Sequence, residues 1–147
     1  MLQLLQHVDE VPFWKSSHRK GWFWSWESVA QHAAASEVWV LREGIEIVTF
    51  LVGRSHGQAF EILYLETHPL RQRRGWARVC LLNLAQTRME DEFWLEVSEQ
   101  NRAASELYKQ MGFQEVGRRE QYYSDGSAAR LMSANRLKLL AFQKPPC

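Results

Sequence analysis

The run His68-Pro69-Leu70-Arg71-Gln72-Arg73-Arg74-Gly75-Trp76-Ala77 holds the residue types of an anion site. An apolar strand-like stretch, Ile62 to Leu65, leads into it. Behind it Ala77, Cys80, Leu81, Leu84 and Ala85 recur at helical spacing. A helix's first turn has backbone N–H groups without intrahelical partners, and its dipole places partial positive charge there. Gly75 clears a side chain from the point where a phosphate comes nearest, and Ala77 keeps the next turn small. Arg71, Arg73, Arg74 and Arg78 add counter-charge. Taken alone, the run is equally an ordinary strand-to-helix connection with a solvated basic face. It is neither Gly-x-Gly-x-x-Gly nor a Gly-Lys-Ser/Thr phosphate loop.

The elements that must position this loop follow from periodicity. Strands are expected over Leu2 to Val8, Glu37 to Arg42, Ile45 to Gly53, Phe60 to Thr67 and Phe93 to Ser98. In the last, Phe93, Leu95 and Val97 share one face and Trp94, Glu96 and Ser98 the other. Helices are expected over Asp9 to His18, from a Ser25 cap to about Ala34, over 76–88, and from an Asn101 cap to a stop at Gly112. Phe113 to Tyr122 and Ala128 to Asn135 read as a closing hairpin about Ser124-Asp125-Gly126, followed by a tail frayed at its end. Trp22, Trp24 and Trp26 read as a loop clamped by aromatic area. Strands alternating with helices, plus a terminal hairpin, give an α/β or α+β single domain.

Composition narrows the classes. A chain of 147 residues that is 46% hydrophobic is long enough to bury a core as one domain. A formal net charge of +1 speaks against general attraction to nucleic acid or anionic membrane. Cys80 and Cys147 are not expected to pair, which suits a reducing cytoplasm, and no Cys/His spacing suits a metal. The N-terminus lacks the pattern of a signal peptide, and no run is long enough to cross a membrane.

Three blocks together resemble a known family. Gln72-x-x-Gly75-x-Ala77 is similar to the pyrophosphate-binding motif of the GCN5-related N-acetyltransferases (GNAT). Leu95-Glu96-Val97, Asn101-Arg102-Ala103-Ala104, Leu107-Tyr108 and Gly112-Phe113 form the second block, and Tyr122-Tyr123-Ser124-Asp125-Gly126 the third. In this order and spacing, from about Glu61 to about Leu131, they resemble the bacterial ribosomal-protein alanine N-acetyltransferases (RimI type).

The resemblance implies a mixed, mostly antiparallel sheet that splays open mid-way to admit acetyl-CoA, with residues 1–60 on the acceptor side, 61–135 binding cofactor and catalysing, and 136–147 as a tail. It implies that Gln72, Arg73, Arg74, Gly75, Trp76 and Ala77 hold the pyrophosphate. The backbone of Leu65 and Thr67 would hold the pantetheine and thioester, and Asn101 the pantetheine arm; Asn101 is also a helix cap in its own right. Glu96 is implied as general base and Tyr108 as general acid. Tyr122 and Tyr123 are implied to hold a peptide beside its amine. For Trp22, Trp24 and Trp26 the resemblance implies a wall of the acceptor groove instead of a clamped loop. The partner implied is a peptide or protein N-terminus, such as a ribosomal protein's, in a cytoplasmic enzyme without a metal.

Elementary acid–base chemistry bears on these roles. A glutamate near 4.3 is a weak base toward an ammonium and needs a raised pKa or a bridging water. An α-amine near 7.8 is roughly 10% neutral at pH 7, whereas a lysine near 10.4 is under about 0.1% neutral. A weak base therefore suits an N-terminus. Proton transfer from a phenol to a thiolate is uphill by about 2 kcal/mol. By residue type alone, Glu96 reads first as an ion-paired surface carboxylate and Tyr108 as a core aromatic; the surrounding Leu-Glu-Val, Asn and Leu-Tyr frame puts catalysis ahead.

Two departures stand out. Glu66 occupies a position the family fills with small or apolar residues, and reads as a second carboxylate near the amine or as solvent-facing. Asp125-Gly126-Ser127-Ala128-Ala129 lacks the acidic pair of the family's Asp-Gly-Glu-Asp-Ala, which bears on the acceptor more than on the chemistry. His68, before Pro69, reads as structural. Acetylation of a small amine or lysine, and a non-catalytic acyl-CoA-binding module, are the other readings. The pairing of Glu96 with Tyr108 argues against the last.

Overall fold

The computed structural model describes residues 2–5, 31 and 35–142. The expected Asp9 to His18 helix, the Trp22/Trp24/Trp26 segment, the helix ending near Ala34 and residues 143–147 lie outside the described residues. The described chain forms β1 (Leu2–Leu5), β2 (Glu37–Glu43), β3 (Glu46–His56), β4 (Ala59–Thr67), a 3₁₀ turn (Pro69–Arg71), α1 (Trp76–Thr87), β5 (Glu92–Ser98), α2 (Arg102–Gln110), β6 (Gln114–Arg119), β7 (Ala129–Asn135) and α3 (Arg136–Ala141).

The strands form one seven-stranded sheet in the order β1-β2-β3-β4-β5-β7-β6. Every neighbouring pair is antiparallel except β4 and β5. A parallel pair needs a long crossover, supplied here by the loop and α1. The β4–β5 register covers only Ala59↔Glu92 to Ile62↔Leu95. β4 then runs on to Thr67 and β5 to Ser98 without pairing with each other. This seam is the splay that the sequence resemblance implies.

A bulge marks where the seam opens. Val52 pairs with Tyr64 and Gly53 with Ile62, which leaves Leu63 without a partner in β3. An extra residue shifts the side-chain alternation by one and bends the strand. Phe60 and Ile62 belong to the core before the bulge and Leu65 packs on it afterwards, while Tyr64 stacks on Phe50, ring centroids 5.5 Å apart.

The core lies between the sheet and the helices. Cys80, Leu81, Leu84 and Ala85 of α1 are fully buried with Phe60, Phe93, Leu95 and Val97. Burial of each large side chain contributes about 1.5–3 kcal/mol. Gly53 is required by this packing, since a Cβ there would lie 2.4 Å from the Phe60 ring.

One expectation is corrected. The strand over Phe113 to Tyr122 stops at Arg119, so residues 120–128 are a loop and Tyr122 and Tyr123 lie on it. Gln121 takes a left-handed conformation (φ +49°), which a continuing strand excludes. The tail is helical from Arg136. Asn135 Oδ1 caps it by accepting from Leu137 N at 2.8 Å, Leu139 is fully buried, and Arg136 Nε donates to the carbonyls of Ala85 and Arg88 at 2.8 Å each.

Candidate active site

The loop 71–75 connects the end of β4 to α1 through two left-handed residues, Arg73 (φ +64°) and Gly75 (φ +83°). Gly75 is the N-cap of α1 and brings no side-chain cap, so no side chain caps the first-turn N–H groups of the helix. Gln72 Nε2 donates to the Thr67 carbonyl at 3.3 Å, tying the loop to the strand end. His68 Nδ1 accepts from Leu70 N at 3.1 Å, a structural role that starts the 3₁₀ turn.

Beside the loop lies a cavity of about 770 Å³. Its lining includes Leu65, Thr67, Gln72, Arg73, Arg74, Gly75, Trp76, Ala77 and Asn101. All nine sequence-predicted cofactor residues thus meet in one space. Arg73 and Arg74 are exposed and make no ion pair among the described residues. Arg71 is different: it turns to the β2–β3 hairpin, pairing with Glu46 at 2.5 Å and Glu43 at 3.6 Å, and does not line the cavity. Arg78, the fourth of the predicted arginines, does line the cavity; it also bonds Gln110 and sits 5.8 Å from the Phe142 ring.

Asn101 both caps α2, with Oδ1 accepting from Ala104 N at 3.2 Å, and lines the cavity. Sequence reasoning missed Val79, Leu82, Ala103, Ala104, Leu107 and Phe142 in the lining. Leu82, Ala104 and Leu107 carry helical periodicity, but periodicity does not separate a core from a cavity wall. Phe142 lies in the C-terminal tail, where no motif marks it.

The remaining predicted residues form a second group. Glu96 is the first β5 residue past the last β4–β5 pair and points to the face opposite Leu95 and Val97. Its carboxylate pairs with Arg119 at 3.2 Å. The Arg119 guanidinium lies 5.5 Å from the centre of the Tyr122 ring, and Tyr122 meets Tyr123 edge-on at 5.0 Å. Burial first, then the charge of Glu96, pushes both the Tyr122 and Tyr123 phenols up. Tyr123 also feels Tyr108.

Tyr108 is buried, at 8% exposure, and meets Phe113 edge-on at 5.6 Å. Burial, then the neighbouring Cys80, pushes its phenol up. Cys80 is a buried free thiol pushed up to about 12 by burial. Neither Glu96 nor Tyr108 lines the cavity: Glu96 is joined through Arg119 to Tyr122 and Tyr123, and Tyr108 packs in the core against Phe113.

The two departures are resolved in part. Glu66 does not face solvent: it is 4% exposed and accepts from the Tyr64 hydroxyl at 3.0 Å. Ser127 and Ala128 are buried at 5% and 1% exposure. Ser127 bonds Ser98 and Asp125, and its carbonyl accepts from the backbone of Tyr122 and Tyr123 at 3.1 and 3.2 Å. Among the described residues no group of three or more His, Cys, Asp or Glu side chains could hold a metal ion, and no helix is long and apolar enough to cross a membrane.

An open seam in a mixed sheet, with a glycine loop and an uncapped helix start beside it, is the arrangement of an acyl-CoA cleft. The chain matches the Acetyltransferase (GNAT) family over residues 3–113 and belongs to it. It is 31% identical over 86 residues to a ribosomal protein bS18 alanine N-acetyltransferase of Haemophilus ducreyi, a match covering 55% of this chain and 59% of that one. Its fold is that of the ribosomal-protein-S18-alanine N-acetyltransferase from Escherichia coli, with a TM-score of 0.77, 22% identity, and coverage of 100% and 97% of the two chains. An acetyltransferase of Bacillus subtilis, solved in complex with CoA, is similar at a TM-score of 0.76 and 14% identity, with 91% and 97% covered.

Proposed function

We propose that this protein is an acetyl-CoA-dependent N-acetyltransferase that transfers the acetyl group directly to a protein N-terminal α-amine, of the ribosomal-protein alanine type. The observation that carries the reading is the convergence of the nine predicted cofactor residues on one cavity at the seam, with Glu96, joined through Arg119 to Tyr122 and Tyr123, on β5 just past the last β4–β5 pair. The chain is read as one N-acetyltransferase domain, with 1–60 on the acceptor side, 61–135 for donor binding and catalysis, and 136–147 as a tail. A cytoplasmic location goes with this reading.

In the mechanism, the α1 N-terminus and the loop N–H groups bind the pyrophosphate, with Arg73, Arg74 and Arg78 around it. Asn101 uses Oδ1 to cap α2, and its amide N–H groups serve the pantetheine. The unpaired edge of β4 at Leu65–Thr67 offers backbone groups to the pantetheine and to the thioester carbonyl. Tyr122 and Tyr123 hold the peptide beside its amine. Glu96 takes the ammonium proton, directly or through water; the amine then attacks the thioester carbon. A C–N bond forms as the C–S bond breaks; Tyr108 protonates the departing thiolate, and the second proton lost by the attacking nitrogen restores the phenol through solvent. The Tyr108 phenol is protonated at neutral pH, as a proton donor must be. Burial, which pushes it up, makes proton transfer to the thiolate steeper, so the transfer must accompany C–S cleavage.

A mass-spectrometric assay with acetyl-CoA and two peptides tests this. One has a free N-terminal alanine and no lysine; the other has a blocked N-terminus and a free lysine. Acetylation of the first alone is expected. Acetylation of the second alone overturns the N-terminal reading, because Glu96 would then face a far more basic amine.

A further inference from the structure

We propose that Arg119 is a displaceable counter-ion: its guanidinium holds the acceptor's place between the Glu96 carboxylate and the Tyr122 ring until a substrate ammonium takes over both contacts. The inference rests on the acetyltransferase reading above. A carboxylate and a tyrosine face together make a site for any cation. Arg119 meets both, at 3.2 Å from Glu96 and 5.5 Å from the ring centre.

Among the described residues, Arg119 makes no other side-chain ion pair, hydrogen bond or ring contact. Glu96 is its only ion-pair partner among the described residues, and its side chain is 55% exposed. Its neighbour Arg118, by contrast, is held by both Glu99 and Glu120. Arg119 is the last residue of β6, and Gln121, with φ +49°, turns the chain so that the Tyr122 ring lies near the guanidinium. Exposed ion pairs are weak, so a second cation can displace it at small cost. The guanidinium offers no transferable nucleophile, because it stays protonated. The site is thereby kept charge-compensated without an acceptor, and any acceptor must outcompete an attached cation.

The test uses Arg119→Ala, Arg119→Gln and Arg119→Lys, with a lysine-free peptide bearing an N-terminal alanine and with spermidine as probes. Calorimetry on the CoA-bound protein gives acceptor affinity without turnover. Steady-state rates give KM for acceptor and for acetyl-CoA. For the probe that is acetylated, the Ala and Gln variants should bind about two- to fivefold tighter, with a matching fall in acceptor KM and none in acetyl-CoA KM. The Lys variant should return toward wild type. Unchanged or weaker binding overturns the proposal, as does a loss of kcat at unchanged affinity, which would make Arg119 a fixed support for Glu96. Binding of neither probe to any of the proteins removes the cation site altogether. If spermidine alone is acetylated and binds tighter to the variants, the counter-ion stands and the N-terminal reading falls.

Discussion

The Oγ atoms of Ser98 and Ser127 lie 3.1 Å apart inside the protein, joining the end of β5 to the loop that carries Tyr122 and Tyr123. Ser98 Oγ also accepts from Gln100 N, and Ser127 donates to Asp125 Oδ1 from both its backbone and its hydroxyl. The strand bearing Glu96 and the tyrosine loop are thus registered through one buried hydroxyl pair.

Ser127→Ala removes that link and leaves Ser98 and Asp125 each short of a partner. The expected loss of stability is about 1–2 kcal/mol, measured by urea unfolding. The acceptor KM should rise and the acetyl-CoA KM stay, since nothing in the donor cavity is touched. A rise confined to acetyl-CoA would contradict the placing of this loop on the acceptor side.

The same loop predicts a loss at acid pH. Asp125 is held below its ordinary value of 3.8 by the hydrogen bonds from Ser127, and Glu99 below its ordinary 4.5 by the Ala128 amide and then Arg118. A lowered folded-state pKa gives stability that is present above the unfolded value and is lost as pH falls through the folded one. The loop's hold is therefore complete at neutral pH and weakens below about pH 4. Thermal unfolding should show Tm falling in that range, and Asp125→Asn should make the fall shallower. An equal slope in the variant would rule Asp125 out as its source.

Glu96→Gln and Tyr108→Phe should fold normally and lose most turnover, each by about 10²-fold or more, with acetyl-CoA binding kept. Circular dichroism and single-turnover rates separate the two effects. Turnover unchanged in both sinks the assigned roles.

Two glycines give opposite readouts. Gly75 has φ +83° and open space around a would-be Cβ, so Gly75→Ala strains only the backbone, by roughly 1–2 kcal/mol, and should raise the KM for acetyl-CoA. Gly53→Ala drives a Cβ into the Phe60 ring and to 2.9 Å from the Glu61 carbonyl. It should cost about 1–3 kcal/mol by overpacking and leave that KM alone. Differential scanning calorimetry and donor titration check both.

What the sequence made legible divides along local and non-local lines. The α1 stripe, the Asn101 cap and the Gly112 stop are short-range signals, and the structure has them where expected. The donor loop was legible because its glycine and arginines are contiguous. The end of β6 was not, because Tyr122 and Tyr123 favour strands by type while the backbone bonds to Ser127 hold them in a loop. The tail helix depends on Arg136 reaching carbonyls 48 and 51 residues earlier, a contact no local pattern records. The ion pair of Arg71 with the β2–β3 hairpin is of the same kind.

The β4–β5 pairing stops after four residue pairs, while both strands continue. Their facing edges from Leu63 and from Glu96 onward keep backbone donors and acceptors that an unbroken sheet would saturate. The sheet lacks one strand's worth of pairing there, and on the reading proposed above the cofactor's amide-bearing arm would supply it. Recognition by main chain measures length and amide spacing and is indifferent to what hangs from the end. The cleft is therefore expected to bind free CoA and acetyl-CoA with similar affinity, which calorimetric titration with each checks.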